Sequence, residues 1–191
     1  PIYLSNFTDD DTVLYASTDG ADSPIWVHQY EYHVPSYAGP ADDPATVGGD
    51  LLLGMVDGGT NWVELMTDAH IGDVNGLTNN VVAGDLLLSG DQGIDDDIQI
   101  TGELQAYSVD SPIDIYAYRT AGVDEDLNVR MIDAGSGQVF LRTDGNMVFG
   151  TPGLSLGQIV SSTRVTLAAD FDITGVRDDN AEIVGGNDAA E

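Results

Sequence analysis

Asp50-Leu-Leu-Leu-Gly-Met-Val-Asp-Gly-Gly-Thr-Asn-Trp-Val-Glu-Leu-Met-Thr-Asp68 lies over Asp126-Leu-Asn-Val-Arg-Met-Ile-Asp-Ala-Gly-Ser-Gly-Gln-Val-Phe-Leu-Arg-Thr-Asp144 when the chain is slid along itself by 76 positions. Nine pairs are identical: Asp50/Asp126, Leu51/Leu127, Met55/Met131, Asp57/Asp133, Gly59/Gly135, Val63/Val139, Leu65/Leu141, Thr67/Thr143 and Asp68/Asp144. With a two-residue slip the match continues, Val81-Val82 over Ile159-Val160 and Ile94 near Ile173. Each copy reads as a strand, an Asp-Gly turn, a second strand and a Thr-Asp turn. A unit this small cannot bury its apolar face alone, so it must stack on neighbours along an axis.

Beyond the repeat, short apolar runs of period two alternate with Gly, Asp and Asn. That pattern indicates half-buried strands, and no window keeps a helical period beyond two turns. In the second copy Leu127, Val129 and Met131 are expected on one face, with Asn128 and Arg130 on the other. Long single strands are expected at residues 25–34, 80–88 and 98–107. The fold class is therefore all-β: a right-handed parallel β-helix, or β-solenoid, of ~8 coils at ~20–25 residues each. The 76-residue offset would then be about three coils. The alternative is one or two β-sandwich domains, which the strand spacing also permits. Residues 1–47 differ in texture, being rich in aromatics, and read as an N-terminal strand segment or cap. Residues 48–191 read as the repeat stack, with copies near 50–94 and 126–173.

The formal net charge is −28, and the cations are five arginines, with no lysine. Such a field repels nucleic acid and anionic membrane surfaces. It suits a surface adapted to high salt, one that binds divalent cations between carboxylates, or simply a soluble acidic surface. There is no cysteine, and no run approaches the ~20 apolar residues of a membrane helix. The chain opens on Pro1 without a signal peptide, as expected of a processed chain or a segment of something longer.

The repeats resemble those of the large bacterial surface proteins of the filamentous-haemagglutinin-like and autotransporter-adhesin type. The stretches that carry the resemblance are Gly49 to Thr60, Val63 to Ile71, Val82 to Ile94 and Asp133-Ala-Gly-Ser-Gly-Gln-Val-Phe-Leu141. It covers about residues 48–185. It implies an exported β-solenoid displayed at the cell surface as a stalk, fibre or adhesin. The aromatic N-terminal part and the extreme acidity depart from the pattern.

Three groups of side chains are candidate sites. Trp26, His28, Tyr30 and Tyr32 share strand parity and would form one aromatic face, either a platform for a glycan or partner chain or a shield over the open end of the core. Asp9, Asp10 and Asp11, with Asp95, Asp96 and Asp97, would sit at turns where Ca²⁺ is the candidate cofactor, with solvated turns as the alternative. Ile2 and Leu4, with Val13 and Tyr15, lie on short strands suited to pairing with another subunit. No nucleophile elbow, zinc-protease motif or phosphate loop is present. The function expected is a non-catalytic extracellular structural repeat protein that self-associates end to end. An adhesin-type glycan-binding module is the alternative, and a polysaccharide-degrading β-helix enzyme the second.

Overall fold

The computed structural model describes residues 1–8, 10–30, 49–76, 79–119, 126–149, 157–161, 163–174 and, for the backbone, 181–185. The fold is an all-β solenoid of two parallel sheets, and every strand pair is parallel. The chain visits the two sheets alternately. The first turn is β1 (Ile2–Phe7) and β2 (Thr12–Ser17); the second is β3 (Ile25–Tyr30) and β4 (Leu51–Asp57). The third is β5 (Val63–Thr67) with β6 (Ile71–Asp73) and β7 (Val81–Ala83). Next come β8 (Leu86–Gly90) with β9 (Ile94–Ile100), and β10 (Glu103–Tyr107) with β11 (Ile113–Ala117). The sixth turn is β12 (Asp126–Asp133) and β13 (Val139–Thr143), and the seventh is β14 (Asn146–Phe149) with β15 (Gln158–Val160) and β16 (Val165–Ala169). The last is β17 (Ile173–Thr174) and β18 (Ala181–Gly185). The first sheet runs β1-β3-β5-β8-β10-β12-β14-β17 and the second β2-β4-β6-β9-β11-β13-β16-β18, so eight turns stack along one axis.

The core lies between the two walls and is built from in-register columns. In the first sheet Ile25, Val63, Leu86, Leu104, Val129 and Phe149 align and are all buried. In the second, Leu51, Ile71, Ile94, Ile113, Val139 and Val165 do the same. Alternate residues face outward, as the pleat requires. The aromatic N-terminal segment is the start of the same two sheets, since β1 pairs with β3 and β3 with β5. The division expected near residue 47 lies outside the described residues.

Two expected strands differ from those observed. Residues 80–88 and 98–107 each turn a corner between sheets, at Gly84-Asp85 and Thr101-Gly102, so each is two shorter strands. The strand expected over 25–34 is described as far as Tyr30, and residues 31–34 lie outside the described residues.

The two repeat copies share their turn bonds. Asp57 Oδ1 accepts from the Gly59 N–H at 2.9 Å, and Asp133 Oδ1 from the Gly135 N–H at 3.0 Å. Gly59 and Gly135 have φ of 58° and 52°, the left-handed region that glycine enters without a Cβ clash. Thr67 Oγ1 accepts from Ala69 N–H and Thr143 Oγ1 from Gly145 N–H, both at 3.1 Å. The slipped match also holds, because Val56 pairs with Val81 and Ile132 with Ile159. The offset, however, is three and a half turns and not three. β4 lies in the second sheet and its copy β12 in the first, while β5 and its copy β13 are exchanged the other way. Both walls face one core with the same pleat, so one strand–turn–strand unit fits either.

Each copy also holds a β-bulge. The register of β2 on β4 shifts between Leu14 and Tyr15, and that of β10 on β12 between Leu104 and Gln105. The extra residues are Gly54 and Arg130, which are 76 apart. A bulge reverses the parity of the residues after it. Val56 and Ile132 therefore enter the core, while Met55 and Met131 face out, contrary to the inward Met131 expected from simple alternation.

Candidate functional site: an aromatic face beside two open edges

β3 buries Ile25, Val27 and Gln29 and turns Trp26, His28 and Tyr30 to the outside of the first sheet. Tyr32 lies outside the described residues. The face does not shield the end of the core; its rings stand on the outer wall. Two aromatics from β1, absent from the face expected on the β3 strand alone, complete it. Tyr3 stacks on Trp26 with ring centroids 4.4 Å apart and planes at 11°. Phe7 leans on Tyr30 at 5.7 Å. The signal was available: Tyr3, Ser5 and Phe7 have the same period-two spacing as Trp26, His28 and Tyr30. In-register parallel pairing places them side by side.

Polar contacts fix the cluster. His28 Nε2 lies 2.8 Å from Glu64 Oε1, and the Tyr30 hydroxyl 3.1 Å from His28 Nδ1. With the proton on Nε2, the imidazole donates to the carboxylate and accepts from the phenol, so one tautomer serves both contacts. Trp62 Nε1 donates to the other Glu64 oxygen at 3.3 Å. These contacts hold His28, Tyr30 and Trp62, while Tyr3 and Phe7, placed by ring contacts, are 71% and 60% exposed.

The four proposed assembly residues divide between the two faces of their strands. Ile2 and Leu4 point inward, in register with Ile25 and Val27. Leu4 is nonetheless 42% exposed where Val27 is 1%, because among the described residues no further turn of the solenoid covers it. Val13 and Tyr15 point outward, and the Tyr15 ring lies across Gly54. Among the described strands, β1 and β2 each pair with a neighbour on one side only. Ile2 donates its N–H to the Pro24 carbonyl just before β3, and Thr8 donates to that of Tyr30 at its end, so the alternate residues Tyr3, Ser5 and Phe7 direct theirs to the other edge of β1.

The acidic candidates do not converge. Asp9 lies outside the described residues. Asp11 Oδ1 accepts from the Asp50 N–H at 3.0 Å and ties the first turn to the second, and Asp10 N–H donates to Thr8 Oγ1 at 3.0 Å. Asp95, Asp96 and Asp97 are not at a turn but inside β9, where alternation sends them to opposite faces. Asp95 and Asp97 face outward, near Asp114, Tyr116 and Arg142. Arg142 pairs with Asp114 at 2.7 Å. Asp97 is pushed above the ordinary carboxylate range, first by partial burial and then by Asp73.

Asp96 faces the core and is 2% exposed, in the column that Ile115, Leu141 and Leu167 continue. Neither of its oxygens makes a hydrogen bond of ordinary geometry. Burial holds its carboxyl well above the ordinary range, only partly opposed by the nearby Asn80 amide and Asp97 backbone, while Asp73 and Asp97 raise it further. Among the described residues no group of three or more His, Asp or Glu side chains is placed to hold a metal ion. No helix of the described residues is long and apolar enough to cross a membrane.

No protein-family model, no curated protein and no solved structure matches the chain.

Proposed function

We propose that this chain is a structural module of an extracellular surface fibre or stalk, a non-catalytic β-solenoid rod that lengthens by stacking turn upon turn at its ends. The observation that carries the reading is the first described turn. Among the described strands β1 and β2 each have an edge with no partner, and Leu4 beneath them is half covered where the matching residue one turn deeper is buried. An incoming strand pair would hydrogen-bond to Tyr3, Ser5 and Phe7 and complete the burial of Ile2 and Leu4. The surface location rests on the resemblance of the repeats to those of exported adhesins.

The charge of −28 opposes self-association. At roughly 1 M salt the Debye length falls to about 3 Å and that repulsion is screened. Sedimentation velocity and negative-stain microscopy across a salt series should show elongated assemblies growing with salt. Ser5→Pro removes an edge donor without touching the β1–β3 bonds, and Leu4→Asp puts a charge at the joint. Both variants should remain single rods with unchanged β-sheet circular dichroism. A wild-type chain that stays monomeric at every salt and protein concentration would sink the proposal.

A further inference from the structure

We propose that the aromatic face of β1, β3 and β5 binds a saccharide chain carrying free amino groups. The site does not depend on end-to-end assembly, because it lies on the outer wall of one rod.

Rigid exposed rings come first. The Tyr3/Trp26 stack and the Phe7/Tyr30 pair stand four residues apart along the strands, ~13 Å at ~3.3 Å per residue. Between them lie Ser5 and His28, both polar. A sugar ring has an apolar face that stacks on an aromatic ring and polar substituents at its rim. A chain of such rings laid along the strands meets aromatic, polar and aromatic surface in turn. Tyr30 is held through His28 to Glu64, and Tyr3 is stacked on Trp26 and Phe7 on Tyr30, so part of the ordering is in place before the ligand arrives.

Charge then selects among saccharides. All five arginines lie at or beyond residue 119, and there is no lysine, so the first 118 residues contain acidic side chains and no Lys or Arg. Glu64 lies within the cluster itself. This field repels uronate and sulfated chains and attracts ammonium groups, which also interact favourably with the faces of Trp and Tyr.

Both tryptophans of the chain, Trp26 and Trp62, lie in the site, so indole fluorescence reports on it directly. The probes are a glucosamine hexasaccharide, its N-acetylated neutral counterpart and an oligogalacturonate, titrated into the intact chain at low and moderate salt. The glucosamine chain should quench or shift the emission saturably, the neutral chain should bind at least tenfold more weakly, and the uronate should not bind. Tyr30→Ala and Tyr3→Ala leave the net charge unchanged at exposed positions and should each weaken glucosamine binding about tenfold, with unchanged β-sheet circular dichroism. Equal binding by these variants would mean adsorption to an acidic surface and would overturn the proposal. So would equal binding of the neutral chain, which would remove the role of the amine, or no binding of the glucosamine chain.

Discussion

At the scale of single residues, Asp96 shows how register overrules propensity. Three consecutive aspartates read as a turn, because Asp favours local hydrogen bonds over strand pairing. Ile94, Ile98 and Ile100 on the same strand nevertheless face the core and are buried. Burying each isoleucine contributes ~1.5–3 kcal/mol, so three of them outweigh one misplaced carboxyl. Burial shifts the carboxyl toward its neutral form. Its folded-state pKa is raised, so the folded state binds more protons than the unfolded chain above about pH 4. Its contribution is most favourable below the unfolded pKa and is lost as pH rises through the folded one.

Asp96→Asn keeps a neutral side chain of the same shape and removes the ionisation that favours the unfolded chain, so it should stabilise the protein near pH 7 by at least about 1 kcal/mol, at about 1.4 kcal/mol per unit of pKa difference. The gain should shrink as pH falls toward 4. Denaturant unfolding of both proteins across that range measures the difference directly. It also cancels the general relief of charge repulsion at low pH, which acts on both. A gain that is the same at every pH would show that Asp96 keeps an ordinary pKa.

At the scale of the element, the repeat's strands and turns were readable, while the corners at Gly84-Asp85 and Thr101-Gly102 and the bulges were not. Alternation identifies Leu51, Leu53, Leu127 and Val129 as inward residues, and all four are buried. It then fails at Met131, because an inserted residue reverses parity without altering composition. The trace it leaves is an apolar doublet, Met55-Val56 and Met131-Ile132, where one of two neighbours must face out. The two bulge residues differ for a local reason. A Cβ on Gly54 would lie 2.2 Å from the Tyr15 ring, whereas Arg130 faces outward and reaches Glu103 at 3.4 Å. Gly54→Val should destabilise by ~1–3 kcal/mol through overpacking. Much of that loss should vanish in a Tyr15→Ala background, and a double-mutant cycle followed by thermal unfolding gives the coupling. Additive effects would mean that the glycine is needed for its backbone alone. The aromatic site was half legible for a related reason. Its β3 half lies on one strand, but its β1 half becomes a neighbour only once parallel register is known.

At the scale of the whole molecule, the 76-residue repeat makes a severe test possible. Excising residues 50–125 joins Gly49 to Asp126 and should give a shorter rod in which β12 takes the place of β4 and β13 the place of β5. Every later strand would then change walls. In the intact chain position 26 lies in the first sheet and position 140 in the second. In the excised chain they should become in-register neighbours, within the ~4.4–6.8 Å Cα separation a disulfide needs. Trp26→Cys with Phe140→Cys, in a protein with no other cysteine, should crosslink on oxidation in the excised chain and not in the full one. An unfolded product, or no crosslink in a folded one, would show that the two walls are not interchangeable.

The exchange of walls has a consequence for how the rod meets its surroundings. Had the offset been a whole number of turns, both copies would look out from the same side, like rungs read from one face of a ladder. Offset by half a turn, the Asp57-Gly58-Gly59 turn and its counterpart Asp133-Ala134-Gly135 belong to opposite flanks. The rod thus has a front and a back that carry the same turn, and neither flank is marked out from the other by it.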